Sequence, residues 1–480
     1  MNEKIRDKSI HSAFWAFFER IANQLISFIV SVLLARLLLP DDYGIIAIVL
    51  VFFNIFEVFS VGGIGTAIVR QKDVSNKEIS SVFYIYTIIS FVLYLVLFLV
   101  SPKIALFYKM PILESVLRVL GLKLLFAPYN SIQRALVSRN LEFRKFFIPT
   151  FVSVVSSAVI SLYLAMEGYG IWALVVQNLT CFLTSAVVLS FAVKWKPLLY
   201  CSWNDARALV SFGWKFMFSG LLDVLYEDFR SLYVGKLYAP SELAFYTKGK
   251  QFPYLIVQNV TSTVSSVLLP VLSKKQDDLY VVKEMTRKAI KVTSFVLTPL
   301  IFIMATVAEP LIKVILTEKW LPCVPFLQIL CFNALFMPIQ SCNLQALNAL
   351  GKSGIVLKLN VIKKTFGFCV VLLCGRYSVL AMALGGILIS INASILNSYP
   401  NKRLLDYGYL EQLRDIGPYF LLSSFVCVFV YLLSLLPFPL EVLLLMQVLL
   451  GVSLYVALSY VFRMEIFFYI LNIVREKIKK

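Results

Sequence analysis

Histidine occurs once in 480 residues, at His11. Imidazole general-base chemistry and histidine-built metal sites are thereby close to excluded. Charge is also scarce: 15% of residues are charged, against about a quarter in soluble domains. That rules out a sizeable water-soluble domain. The eight cysteines (181, 201, 323, 331, 342, 369, 374, 427) sit mostly inside apolar runs, without paired short spacings. Neither a disulfide framework nor a zinc site is expected, and small buried hydrophobes account for them better. A cleavable leader is not expected either, because Met1 to His11 is polar and the next apolar run is long enough to span.

What the chain does have is apolar length. Sixty per cent of residues are hydrophobic, with a mean hydropathy of +0.83, enough for roughly 12 to 15 crossings at about 20 residues each. A transmembrane β-barrel would break such runs by lumen-facing alternation. The chain therefore reads as an all-α polytopic membrane protein. Fourteen candidate spans follow one another, the first at 12–38 and the last at 440–462. With the N-terminus inside, alternate loops hold 29 Lys and Arg on the inner side and 7 on the outer. This asymmetry is the one that orients membrane helices. It also explains the net charge of +18 without a nucleic-acid partner.

The chain repeats itself. Ala35-Arg36-Leu37-Leu38-Leu39-Pro40-Asp41-Asp42 returns as Gly235-Lys236-Leu237-Tyr238-Ala239-Pro240-Ser241-Glu242. Leu125-Phe126-Ala127-Pro128-Tyr129-Asn130-Ser131 returns as Leu335-Phe336-Met337-Pro338-Ile339-Gln340-Ser341. The expected organisation is a six-helix lobe at 1–200, a second at 201–405, and an added helix pair at 406–480. Six crossings is even, so the two copies share orientation, and two such bundles facing across a cleft suit alternating access.

Charges at the bilayer centre cost about 2.5–3.5 kcal/mol on insertion scales, so those present are informative. The first span carries Arg20, Gln24, Ser27 and Ser31 on one helical stripe. The fourth carries Lys123, Asn130 and Arg134, below a kink expected at Pro128. The seventh carries Lys215, Ser219, Asp223, Glu227 and Arg230; the eighth, Lys250; the second, Asn54 and Glu57; the eleventh, Lys363 and Lys364. Mid-span cations outnumber mid-span acids nine to five. Two blander accounts stand beside a cavity: long basic chains near helix ends snorkel to the headgroups, and paired charges fix helix register. A cationic cavity would suit a diphosphate headgroup, since Arg and Lys donors match its oxygens. Candidate substrate contacts are Arg20, Gln24, Lys123, Lys215, Lys250, Lys363 and Lys364. No catalytic or metal-ligating set is expected.

The chain resembles the Wzx-type flippases of lipid-linked oligosaccharides, in the MOP exporter superfamily. The resemblance is carried by Phe14-Trp15-Ala16, Glu19-Arg20, Leu34 through Gly44, Gly62-Gly63-Ile64-Gly65-Thr66-Ala67 before Arg70-Gln71, and Gly168-Tyr169-Gly170-Ile171-Trp172-Ala173-Leu174. It implies fourteen helices, two six-helix lobes forming a V, and alternating access. The implied substrate is an undecaprenyl-diphosphate-linked oligosaccharide drawn from the membrane lipids. A polysaccharide polymerase and a chain-length regulator are candidate partners in the bacterial inner membrane. The family has no universal catalytic signature, so no site residue carries over.

No ATP-binding loop is encoded: Gly351-Lys352-Ser353 lacks the required upstream glycine, Ala346 standing there. No cofactor is expected beyond coupling to H+ or Na+, with Glu57, Asp223 and Glu227 as candidate carriers and ordinary ion pairing as the alternative. A polymerase or ligase is disfavoured by outer loops of at most about 14 residues. A drug antiporter of the MATE type is disfavoured by the charge sign, since organic cations call for acids and aromatics.

Overall fold

The computed structural model describes residues 23–71 and 73–478, and the regular elements among them are all helical. Two compact units divide the chain, Met1–Ala244 and Phe245–Lys480. The first holds α1 (Asn23–Leu37), α2 (Pro40–Val61), α3 (Ile64–Arg70), α4 (Asn76–Tyr108), α5 (Ile112–Gly121) and α6 (Lys123–Arg139). It continues with α7 (Arg144–Met166), α8 (Ile171–Val193), α9 (Trp203–Leu237) and the first turn of α10 (Pro240–Ser273). The second holds the rest of α10, then α11 (Leu279–Thr306), α12 (Ala308–Leu316), α13 (Val324–Ala334), α14 (Met337–Ala349) and α15 (Ser353–Cys374). It ends with α16 (Val379–Leu405), α17 (Tyr409–Leu432), α18 (Leu440–Val461) and α19 (Glu465–Ile478).

Among the described residues, eleven helical stretches are long and apolar enough to cross a membrane. Large apolar side chains such as Leu99, Leu106 and Leu421 lie bare on their outer faces, as lipid rather than water would allow. Inward, the helices approach through small groups. Ser60 on α2 bonds Ser90 on α4 and also donates to the Leu124 carbonyl, the kind of contact that joins helices where lipid offers no hydrophobic drive. The second unit centres on Phe295, Tyr419 and Tyr455, with Tyr455 donating to the Phe295 carbonyl at 3.1 Å.

Three details differ from the expected spans. The second span is broken at Gly62 and Gly63, both left-handed at φ +50° and +71°. The fourth is two helices parted at Leu122, and α6 runs unbroken through Pro128. Past the last expected span, which ends at 462, the chain forms one more helix, α19 (Glu465–Ile478). Its apolar side inserts Ile466, with Phe467 and Ile470, into the second unit's core. Charges at Arg475, Lys477, Lys479 and Lys480 mask that side in a composition reading.

Candidate functional site

The first unit carries an open cavity of about 540 Å³. It lies beside the glycine break, with Val61, Gly65 and Thr66 in its lining. Gly62 closes α2 by giving its N–H to the Val58 carbonyl, and the two left-handed residues re-aim the chain so that α3 lies against α6. A side chain at Gly62 would meet the Tyr86 ring at 2.2 Å, and one at Gly63 would meet the Gly213 carbonyl oxygen at 2.5 Å. Glu57, Thr66, Asn130, Ser131, Arg134 and Phe182 line the resulting space.

Arg134 lays its guanidinium over Phe146, 5.0 Å from the ring centroid. Asn130 is only 8% exposed, and its Oδ1 has no protein partner. Lys123, equally buried, sits behind the cavity wall with its ammonium 4.3 Å from the Phe53 ring centroid and 5.3 Å from that of Phe182. Glu57 and Lys123 attract each other across that wall. One turn earlier on α2, Asn54 donates to Asp228 of α9 at 3.1 Å.

Arg20 lies outside the described residues. Gln24 is half-buried on α1. Lys215, Asp223 and Glu227 are exposed along α9, and Lys250 is half-buried on α10, 5.8 Å above the Tyr254 ring. Neither Lys215 nor Lys250 forms an ion pair with a carboxylate among the described residues. Lys363 donates to Asn397 Oδ1 at 2.9 Å, and Lys364 is half-buried beside it. The structure thus brings Glu57 to Lys123, and Lys363 to a neutral amide.

That amide belongs to a polar chain that the charge-based reading missed. Asn397 donates to the Gln340 carbonyl. Farther along, Asn343, Ser398, Asn401 and Gln412 bond one another at 2.6–3.3 Å while fully buried or nearly so. The signal was present, as amides inside the apolar runs of α14 and α16, but a search for ionic groups passes over it. Asn130 was noted on its stripe and not as a contact. Thr66 and Ser131 stand in the sequence only as members of a motif and a repeat, since hydroxyls are common in membrane helices and do not mark a site.

A second cavity of about 950 Å³ lies between α10, α11 and α19. Its basic lining is already engaged. Arg287 makes a two-pronged pair with Asp415 at 2.8 Å on each arm. Lys291 reaches Asp415 at 3.7 Å and Glu465 at 3.5 Å, and Lys288 stacks on Tyr469. Tyr407, in the turn before α17, donates to Asp415 at 2.8 Å. Burial and the Asp415 carboxylate push its ionisation far up, so it stays a donor at any working pH. Among the described residues, no three His, Cys, Asp or Glu side chains converge as a metal site.

Over 441 residues the chain is 22% identical to the lipopolysaccharide biosynthesis protein WzxC of Escherichia coli (strain K12), covering 90% of this chain and 88% of WzxC. It is 24% identical over 319 residues to the succinoglycan biosynthesis transport protein ExoT of Rhizobium meliloti (strain 1021). That match covers 66% of this chain and 65% of ExoT, just under two thirds of the relative's length. Its fold is that of the lipid II flippase MurJ in an inward closed conformation, with a TM-score of 0.74 at 16% identity over 94% of this chain and 98% of MurJ. The family model described as polysaccharide biosynthesis protein matches residues 33–325, more than half the chain, and to that family the chain belongs.

Proposed function

We propose that the chain is a flippase that carries undecaprenyl-diphosphate-linked oligosaccharide from the cytoplasmic to the outer leaflet of a bacterial inner membrane, for assembly of a surface polysaccharide. The observation that carries the reading is the family match over residues 33–325, whose relatives bear names of polysaccharide transport and biosynthesis. The chemistry is compatible. A lipid tail stays in the bilayer while sugars cross through a polar path, and the cavity sets Glu57, Asn130 and Arg134 among apolar side chains inside the bundle. Bond-making is not required of the protein, and with a single histidine it is read as a transporter and not an enzyme.

Both termini are cytoplasmic in this reading, following the Lys and Arg asymmetry of 29 against 7. An anionic headgroup moving outward across an inside-negative membrane gains about 2.3 kcal/mol per charge per 100 mV. Glu57, half-buried and attracted by Lys123, is the acid best placed to add coupling to H+ or Na+. Lys215 and Lys250, without carboxylate partners, are offered as contacts for the diphosphate. A polymerase and a chain-length regulator would take the exported unit. In cells lacking the chain, lipid-linked oligosaccharide should accumulate and surface glycan disappear. Lys215→Ala should insert normally yet cut export at least tenfold. Full export by that variant would remove Lys215 from the pathway, and unchanged lipid-linked pools in the deletion strain would remove the flippase reading.

A further inference from the structure

The cavity of the first unit differs chemically from a diphosphate site. A phosphate oxygen accepts hydrogen bonds and carries negative charge, so its partners are donors and cations. Here the lining includes the Glu57 carboxylate, which repels such a group, beside the neutral Thr66, Asn130 and Ser131. The nearby ammonium, Lys123, is held behind the wall by two aromatic rings and by Glu57. Arg134, the cation of the lining, holds its guanidinium over Phe146, 5.0 Å from the ring centroid.

Asn130 supplies the sharper observation. It lines the cavity, is more than nine-tenths buried, and its Oδ1 has no protein partner. Buried polar atoms are rarely left so, and rotation about the last side-chain bond presents either end of the amide to the cavity. A ligand that supplies a hydroxyl would satisfy it. Thr66 and Ser131 can each give and take a hydrogen bond, and Glu57 accepts. Phe182 offers the apolar surface against which the C–H face of a sugar ring rests. The volume, about 540 Å³, falls within the usual range of about 300–1,000 Å³ for small-molecule sites.

We infer that this cavity is a glycan subsite, taking hydroxyl-bearing sugar residues of the cargo and not its diphosphate. The inference rests on the flippase reading above and divides the labour within it. Headgroup phosphate is met by Lys215 and Lys250, while the sugars are met by the hydroxyls, amide and carboxylate that line the space between α3 and α6. Recognition by hydroxyls and amides also permits selectivity, because a site built to pair with a substrate hydroxyl rejects analogues that lack it.

The test uses the full-length chain in lipid nanodiscs and three probes. These are the lipid-linked oligosaccharide extracted from cells lacking the chain, the glycan released from it by mild acid, and undecaprenyl diphosphate alone. Asn130→Leu should weaken binding of the intact cargo and of the released glycan about tenfold, with the Kd for undecaprenyl diphosphate unchanged. Because leucine could disturb the α6 packing, Thr66→Val with Ser131→Ala provides a second variant that deletes only hydroxyls. It should show the same selective loss, at about threefold. Equal weakening of all three probes, or unchanged binding of intact cargo by both variants, overturns the glycan subsite. So does wild-type protein that holds undecaprenyl diphosphate but gains nothing from the attached sugars, although the flippase reading survives that result. Wild-type protein that binds none of the three sinks the flippase reading and the subsite with it.

Discussion

Asp415 shows how this chain handles charge. Its carboxylate, 7% exposed, takes both arms of Arg287, the ammonium of Lys291 and the hydroxyl of Tyr407. Three side chains, two from α11 and one from the turn before α17, depend on this one carboxylate. Breaking a buried pair leaves an uncompensated charge, typically costing about 3–5 kcal/mol. Arg287 is about a third exposed at 31%, so water recovers part of that cost. Asp415→Ala should therefore destabilise by about 2–3 kcal/mol and lower the apparent melting temperature in detergent. Asp415→Glu should recover part of the loss, and a melting temperature unmoved by Asp415→Ala would mean that the cluster adds nothing. The same residue scale marks what the sequence reveals of a site. Glu57, Lys123 and Lys363 are visible because an ion in hydrocarbon is costly enough to flag itself. The partners that give them meaning (the rings of Phe53 and Phe182, the amide of Asn397) are ordinary membrane residues. Sequence shows which groups are expensive, and only the fold shows what answers them.

At the scale of elements, helices are legible and their interruptions less so. Apolar length predicts a span whether or not it is continuous. A kink is expected at Pro128, yet the break between helices falls at Leu122, six residues earlier, and α6 continues through the proline. The Gly62–Gly63 break was readable as a motif but not as geometry, because two glycines tolerate helix and left-handed turn alike. The repeated loops acquire a contact that alignment alone does not give: Asp41 accepts the Ser241 backbone N–H at 2.9 Å, equivalent positions exactly one repeat apart. The break is where substitution should be most informative. At Gly63 an added Cβ meets backbone, the Gly213 carbonyl, and the left-handed φ is costly for any L-residue. At Gly65, two residues on within ordinary helix, the nearest atom is Ser131 Oγ at 3.5 Å. Gly63→Ala should therefore reduce the yield of folded protein and halt export, whereas Gly65→Ala should be tolerated. Equal behaviour of the two variants would show that the break has no part in forming the cavity.

For the whole molecule, orientation turns on three stretches outside the eleven strongly apolar helices: α1, the pair α5 and α6, and α15. The last is the most delicate. It carries Lys358, Lys363 and Lys364 against twelve Ile, Leu, Val and Phe residues. On insertion scales, two central lysines cost about 5–7 kcal/mol, and twelve such apolar residues return about 4–7 kcal/mol. Composition alone leaves the crossing balanced. The fold tips it, because Lys363 turns to Asn397 on α16 while Leu357, Val361 and Leu373 stay bare on the outer side. A lysine satisfied by a neighbour no longer bears the full penalty, so α15 should cross with α16 as its partner. Alkaline phosphatase fused after Arg376 should then be active and after Tyr407 inactive, and green fluorescent protein fused after Lys480 should fluoresce. If α15 failed to cross, every one of these signs would reverse, since each later helix would run the opposite way. Asn397→Leu tests the cause, because removing the partner of Lys363 should shift part of the population to the reversed pattern, and a topology untouched by that change would place the stabilising interaction elsewhere.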